Sequence, residues 1–260
     1  MPHEGVLGHT GPVIHPDDHE LARALASEAG AVLRSLRDVT PLDELKATGD
    51  AASHELLMRR LAELRPDDRV LSEESAAHTA GSGSGRVWIV DPLDGTREFG
   101  EPPRTDWAVH VALVIDGAPV VGAVALPGRE LVLATGGSLP APVVQKEGAR
   151  PRLLVSRTRP AAHAQELAAL VDAELVPLGS AGAKAMAVVL GEADIYAHSG
   201  GQYEWDSAAP VAVALAAGFH ASRLDGAPLV YDQPDPWLPD LLVCRPDLAA
   251  AVLAACATLV

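Results

Sequence analysis

Asp91-Pro92-Leu93-Asp94-Gly95-Thr96 follows directly on the apolar run Val87-Trp88-Ile89-Val90. Two carboxylates three positions apart, at the end of a strand that reads as buried, are costly unless a cation or another partner neutralises them. Gly95 and Thr96 then open what can be a helix N-terminus, where free backbone N–H groups favour a phosphate. One short segment thus offers hard oxygen ligands for a divalent metal beside an anion cradle. That pairing reads as metal-dependent phosphate chemistry.

Outward from this segment, the chain is helical before it and sheet-rich after it. From Asp17, read as an N-cap, Leu21, Ala24, Leu25, Val32, Leu33 and Leu36 keep helical spacing. A second amphipathic helix is expected over 51–64, with Asp50 just ahead of it and Arg65-Pro66-Asp67-Asp68 as its stop. Val70-Leu71-Ser72 is a short strand delivering Glu73 and Glu74 at its end, and 80–85 reads as a flexible loop. Past Thr96, strands over 109–115, 120–126 and 131–133 form a meander. The Gly- and Pro-rich stretch 136–151 is the best boundary. It divides an α+β N-terminal half, 1–140, with an antiparallel sheet from an α/β C-terminal half, 141–260. Strands are expected there at 153–155, 175–178, 193–197, 219–223 and 241–244. Helices are expected at 161–171, 183–190, 207–217 and 248–259. Residues 1–15 read as a loose leader.

Composition bounds the function. The 260 residues are 48% hydrophobic but only 3% aromatic, so a substantial core must be built from Ala, Val and Leu. A formal charge of −15 argues against non-specific binding to nucleic acid or an anionic membrane. It also obliges any phosphorylated ligand to approach an acidic protein, an obstacle that a bound cation removes by inverting the local field. Cys244 and Cys256 are too few for a disulfide framework, and a cytoplasmic location is expected. No segment reads as a signal peptide or a bilayer-crossing helix.

Four segments place acidic groups in suggestive settings: Asp50, Glu73-Glu74, Asp91/Asp94, and Asp206 in Glu204-Trp205-Asp206. Taken alone, Asp206 reads as a helix N-cap and Glu73-Glu74 as a solvated loop. Asp91 and Asp94 resist so plain a reading, because a cap accounts for only one carboxylate. His110, inside an apolar strand, reads as a hydrogen-bonded core imidazole. His198 and His220 lack metal-binding spacing, so zinc is not expected.

Leu71-Ser72-Glu73-Glu74-Ser75, Asp91-Pro92-Leu93-Asp94-Gly95-Thr96 and Trp205-Asp206-Ser207-Ala208-Ala209, in that order and at those separations, resemble the inositol monophosphatase superfamily. Arg97-Glu98-Phe99 and the later Gly179-Ser180-Ala181-Gly182-Ala183-Lys184 look most like its 3′(2′),5′-bisphosphate nucleotidases of the CysQ type. The resemblance covers about 21–245. It implies a layered α/β/α/β/α fold and a lithium-sensitive, magnesium-dependent phosphomonoesterase. Glu73, Asp91, Asp94, Asp206 and the Leu93 carbonyl would be metal ligands, with Asp50 and Thr96 orienting the attacking water. Two magnesium ions would activate that water and clamp the phosphate. A third ion is left open, because 45–50 is compact where relatives carry a longer loop; the role of Lys46 is open for the same reason.

The same resemblance gives the phosphate to Gly95 and Thr96, and the rest of a small-molecule nucleotide to Gly179, Ser180, Lys184 and Arg157. Lys184 and Arg157 read equally well as solvated surface cations, and Arg97 as an ion-pair partner of Glu98 or Glu101. The substrate implied is adenosine 3′,5′-bisphosphate, with 3′-phosphoadenylyl sulfate second, in sulfur assimilation. The alternatives are an inositol- or fructose-bisphosphate phosphatase, and a non-catalytic nucleotide or metal sensor. No nucleic-acid or membrane partner is implied, and the expected state is a monomer or homodimer.

Overall fold

The computed structural model describes residues 13–79, 85–143, 148–161 and 163–259, with the backbone alone over 75–79. Most of the expected leader, and residues 80–84 of the expected loop, lie outside them. Two long helices come first, α1 (Asp18–Val39) and α2 (Leu42–Leu64). Then follow β1 (Arg69–Ser72), β2 (Ser75–Thr79), β3 (Arg86–Asp94), the single turn α3 (Thr96–Phe99), β4 (Ala108–Ile115), β5 (Ala118–Leu126) and β6 (Leu131–Ala134). The second half comprises β7 (Arg152–Ser156), α4 (Ala164–Leu170), β8 (Glu174–Leu178), α5 (Ala181–Val189), β9 (Ile195–Tyr203), α6 (Glu204–Ala216), β10 (His220–Ser222), β11 (Trp237–Cys244) and α7 (Pro246–Cys256).

The first sheet runs β2-β1-β3-β4-β5-β6 and the second β10-β11-β9-β7-β8. In the first, only β1 and β3 are parallel; in the second, β9, β7 and β8 are parallel. Side-chain alternation explains how the two stack. On β3, Trp88 and Val90 join the core under α1 and α2, while Val87 and Ile89 join the one that contains α5 and α6. On β11, Leu241 and Val243 meet that same middle layer, and Leu242 and Cys244 face α4 and α7. Five layers result, helix–sheet–helix–sheet–helix, as expected. A strand covered on both faces has no use for polar alternation, which is why Val87–Val90 is unbroken apolar sequence. Among the described residues, no helix is long and apolar enough to cross a membrane.

Three local expectations change. The second helix begins at Leu42, so Asp50 stands inside it and no loop precedes it. Leu45, Gly49, Ser53, Leu57 and Leu61 form one buried stripe at helical spacing. Gly49 belongs to it because the Phe99 ring fills the place of its side chain: a Cβ there would lie 2.5 Å from Phe99 Cε1. Second, β3 continues through the motif to Asp94, with an irregular register between Asp91 and Asp94 that accommodates Pro92. Third, α6 starts at Glu204. Asp206 therefore occupies its third position and is not the N-cap.

Residue size fixes the middle layer. Gly122 of β5 lies against α6, where a Cβ would come within 2.7 Å of both the Ala209 carbonyl oxygen and Ala212 Cβ. A backbone carbonyl cannot swing aside, so Gly122→Ala must push α6 off the sheet. The expected cost is about 1–3 kcal/mol, read as a Tm lowered by roughly 3–10 °C in thermal unfolding.

Candidate active site

Three chain segments bring carboxylates to one point. β1 and β3 run parallel with Ser72 beside Val90, so Glu73 and Asp91 leave the sheet at the same edge. The register shift in β3 turns Asp91 and Asp94 together, and Asp91 Oδ1 accepts the Leu93 N–H at 3.0 Å. Asp206 arrives on the first turn of α6, held by the Tyr203 N–H donating to its Oδ2 at 2.7 Å. Oxygens of Asp91, Asp94 and Asp206 all lie within 4.8 Å of one another. Glu73 stands at the exposed rim of this group and shares a hydrogen bond with Asp91.

Like charges this close, out of water, cannot all ionise freely. Burial, then Asp94 and Glu73, pushes the Asp91 carboxyl well up. Burial followed by Asp94 lifts Asp206 to about 6. Glu73 is raised to about 7 by loss of solvent, then by Asp206 and Asp94. Asp94 differs. Burial alone would raise it, but His110, the Gly182 N–H and Lys184 hold it below the usual carboxylate range. Its two oxygens accept the Ala181 and Gly182 N–H groups at 3.1 and 2.6 Å, so it caps the start of α5. A cation is the remaining way to settle the other charges. The donor set of carboxylates and the Leu93 carbonyl consists of hard oxygens and fits a magnesium-like ion.

Beside the cluster, the Thr96 hydroxyl lies 3.4 Å from Asp50 Oδ1 and 3.2 Å from the Leu93 carbonyl oxygen, one hydrogen for two acceptors. Burial and then Glu74 raise Asp50 to about 6. Gly95 turns the chain between the two with φ +85°, a conformation suited to glycine, and a Cβ there would sit 2.8 Å from Ser180 Cβ. The Gly95–Thr96 turn and the Gly179–Ser180 turn are therefore in contact.

The remaining expected substrate residues are engaged with the protein itself. Ser180 caps α5, its hydroxyl accepting the Ala183 N–H at 3.0 Å, and the Gly179 N–H donates to Asp106 Oδ2 at 2.7 Å. Lys184 is not a surface lysine. It is 3% exposed, and its ammonium donates to the Gly179 and Ser180 carbonyls over the Tyr196 ring. Burial lowers it to about 8. Lys184 thus braces the turn from beneath. Arg157 is not simply solvated either: its Nη2 donates to Glu98 Oε1 and Glu101 Oε2, both at 2.8 Å. Glu98 and Glu101 pair with Arg157, not with Arg97, which is exposed.

His110 is buried and bonded as expected, with a further part that the sequence reading missed. Its Nδ1 is 2.9 Å from the Trp205 carbonyl oxygen and its Nε2 3.1 Å from Asp94 Oδ2, so one ring ties β3 to the start of α6. Its place opposite Asp91 in the β3–β4 register could have flagged it. The irregular connection 95–107 hides that register in the sequence.

Residues 18–257 match the model of the inositol monophosphatase family. A 3′-phosphoadenosine 5′-phosphate phosphatase of Mycobacterium leprae is 48% identical over 251 residues, covering 91% of this chain and 92% of the relative. The 3′(2′),5′-bisphosphate nucleotidase CysQ of Escherichia coli K12 is 33% identical, covering 80% and 91%. Among solved structures, inositol monophosphatase-II of Staphylococcus aureus superposes with a TM-score of 0.76 at 23% identity, covering 90% and 93%.

The raised carboxyls predict a pH dependence of defined sign. Asp50, Glu73 and Asp206 bind protons more tightly folded than unfolded, so their share of stability is present at low pH and is lost as pH rises through about 6 to 7. In metal-free protein this share should fall between pH 5 and 8. Magnesium should reverse the loss, raising Tm more at pH 8 than at pH 5; occupancy at 100 times Kd contributes about 2.7 kcal/mol. Thermal unfolding with EDTA and with magnesium chloride at the two pH values checks this.

Proposed function

The chain belongs to the inositol monophosphatase family, and from that premise we propose that it is a magnesium-dependent phosphomonoesterase releasing the 3′-phosphate of adenosine 3′,5′-bisphosphate, to give AMP and phosphate. One observation carries the chemistry: three carboxylates converge within 4.8 Å beside a Thr96–Asp50 pair. Relatives about half identical and named for that phosphatase activity support the substrate. 3′-Phosphoadenylyl sulfate is the second expected substrate. The role fits sulfur assimilation in the cytoplasm, where such by-products would be cleared.

Asp91, Asp94, Asp206 and Glu73, with the Leu93 carbonyl, would hold two magnesium ions. Bound there, the metal supplies positive charge that lowers the pKa of water and neutralises the phosphate oxygens. The rest falls to the chain. The Thr96 hydroxyl donates its hydrogen bond to Asp50 or to the Leu93 carbonyl, leaving its oxygen lone pairs to accept from the attacking water. Asp50, raised to about 6, is matched to take a proton near neutral pH. The N–H groups of Gly95 and Thr96 face the phosphate, and attack is in line on phosphorus without a phospho-enzyme. Asp94 is held by contacts to α5 and His110 that the protein makes without any ligand.

The second reading, an inositol or fructose-bisphosphate phosphatase, shares the metal site and has support in the fold alone. A non-catalytic sensor would not need Asp50 and Thr96 within reach of each other. Steady-state kinetics should show kcat/KM for adenosine 3′,5′-bisphosphate at least about 100-fold above that for inositol 1-phosphate, a gap of about 2.7 kcal/mol in transition-state binding. The reverse preference refutes the nucleotide assignment.

Asp50→Asn keeps an acceptor for Thr96 but removes a desolvated negative charge beside Glu74. It should lower kcat by about 10²–10⁴-fold while Tm stays level or rises. An unchanged kcat removes Asp50 from the mechanism.

A further inference from the structure

An acidic chain leaves few cations free, and where it leaves them is informative. Against 35 acidic residues stand 20 lysines and arginines. Most of the described ones are committed: Arg65 and Arg86 to Asp18, Arg69 to Asp232, Arg245 to Asp194 and Asp247. The two cations that the sequence assigns to substrate are committed as well, Arg157 to Glu98 and Glu101, and Lys184 to backbone carbonyls. Arg37 is spent on the backbone carbonyls of Glu98, Phe99 and Arg104. Among the described residues, Lys46, Arg59, Arg97 and Arg159 have neither a carboxylate nor a backbone carbonyl as partner. Arg59 lies on α2 about 20 Å along the helix axis from Lys46, away from the site.

Lys46 and Arg97 share one neighbourhood. Arg97 directly follows Thr96 and is the exposed member of α3, whose Glu98 and Phe99 are buried. The Lys46 stem lies across the end of that turn: a Cβ on Gly100 would be 2.9 Å from Lys46 Cγ and closer still to its Cε. Its ammonium is one bond beyond. Lys46 is also one helical turn from Asp50, on the same face of α2, and Asp50 meets Thr96. Two unneutralised cations thus flank α3 next to the Asp50–Thr96 pair. Among the described residues, no carboxylate or carbonyl is bonded to either.

We infer that Arg97 and Lys46 seat the second, non-reacting phosphate of the substrate, and so make the enzyme selective for bisphosphates over monophosphates. The inference rests on the nucleotide reading above and deepens it. The metal cluster neutralises only the phosphate that reacts, and a remote phosphate entering a −15 protein needs its own positive seat. A planar guanidinium can grip it through two N–H donors, and a flexible ammonium adds a point charge.

The ratio of kcat/KM for adenosine 3′,5′-bisphosphate to that for adenosine 3′-monophosphate tests this, because both esters use the same metal cluster. Wild type should favour the bisphosphate. Arg97→Gln and Lys46→Gln should each lower the ratio by about 10- to 100-fold, the value of one charge-assisted hydrogen bond. Arg97→Lys, which keeps the charge, should retain most of the preference, and Arg159→Gln should leave it in place. A wild-type preference that survives both glutamine substitutions, or that collapses only in Arg159→Gln, overturns the inference and leaves the nucleotide reading standing. A wild type with no preference between the esters refutes the bisphosphate reading itself, and the inference with it.

Discussion

Negative charges held together out of water are the constraint on which the rest depends. Oxygens of Asp91, Asp94 and Asp206 lie within 4.8 Å of one another, beside strands with no apolar face to spare. Left alone, such a group would splay apart or take up protons. The protein resolves one of the three internally. Asp94 accepts two N–H groups from the start of α5, lies 3.1 Å from His110 Nε2, and is held below the usual carboxylate range. Asp91 and Asp206 have weaker internal support and rise in pKa, which makes the cluster a poised cation receptor. Stability and binding are therefore opposed in the metal-free protein and aligned in the loaded one.

The layered architecture keeps that geometry rigid. α5 and α6 are sandwiched between two sheets, α5 beginning at Asp94 and α6 carrying Asp206. Alanine at many of their buried positions and glycine at 122 set how closely the layers approach. His110 fastens the two ends by bonding to the Trp205 carbonyl and approaching Asp94. A displacement of either helix would be felt first at the carboxylates, so packing far from the cluster acts on the chemistry.

Charge is distributed with the same economy. Arginines distant from the site are bound into ion pairs that join elements, such as Arg86 with Asp18 and Asp68. Near the site, Arg157 and Lys184 hold α3 and the 179–180 turn in place from the protein side. Among the described residues, Lys46 and Arg97 at the edge of α3 have no carboxylate or carbonyl partner, and neither have Arg59 and Arg159 elsewhere.

Much of this was legible in one dimension. The unbroken apolar run before Asp91 announced a strand buried on both faces, and carboxylates at strand ends announced an acidic cluster that could hold a metal, because both are local costs that need a remedy. The change from meander to strand–helix alternation near residue 140 pointed to two sheets. The sequence misled where a residue's meaning depends on a distant partner. The helix was expected to begin at 51 because the sequence does not show that Phe99 occupies the empty face of Gly49, and Lys184 read equally well as a surface lysine until the fold buried it beneath its own turn. Arg157 could be read as free because Glu98 and Glu101 lie more than fifty residues earlier. Residue type and spacing alone thus determined which chemistry the chain must house. Tertiary structure decided which charges remain available to carry it out, since pairing and burial depend on neighbours that the linear order does not reveal.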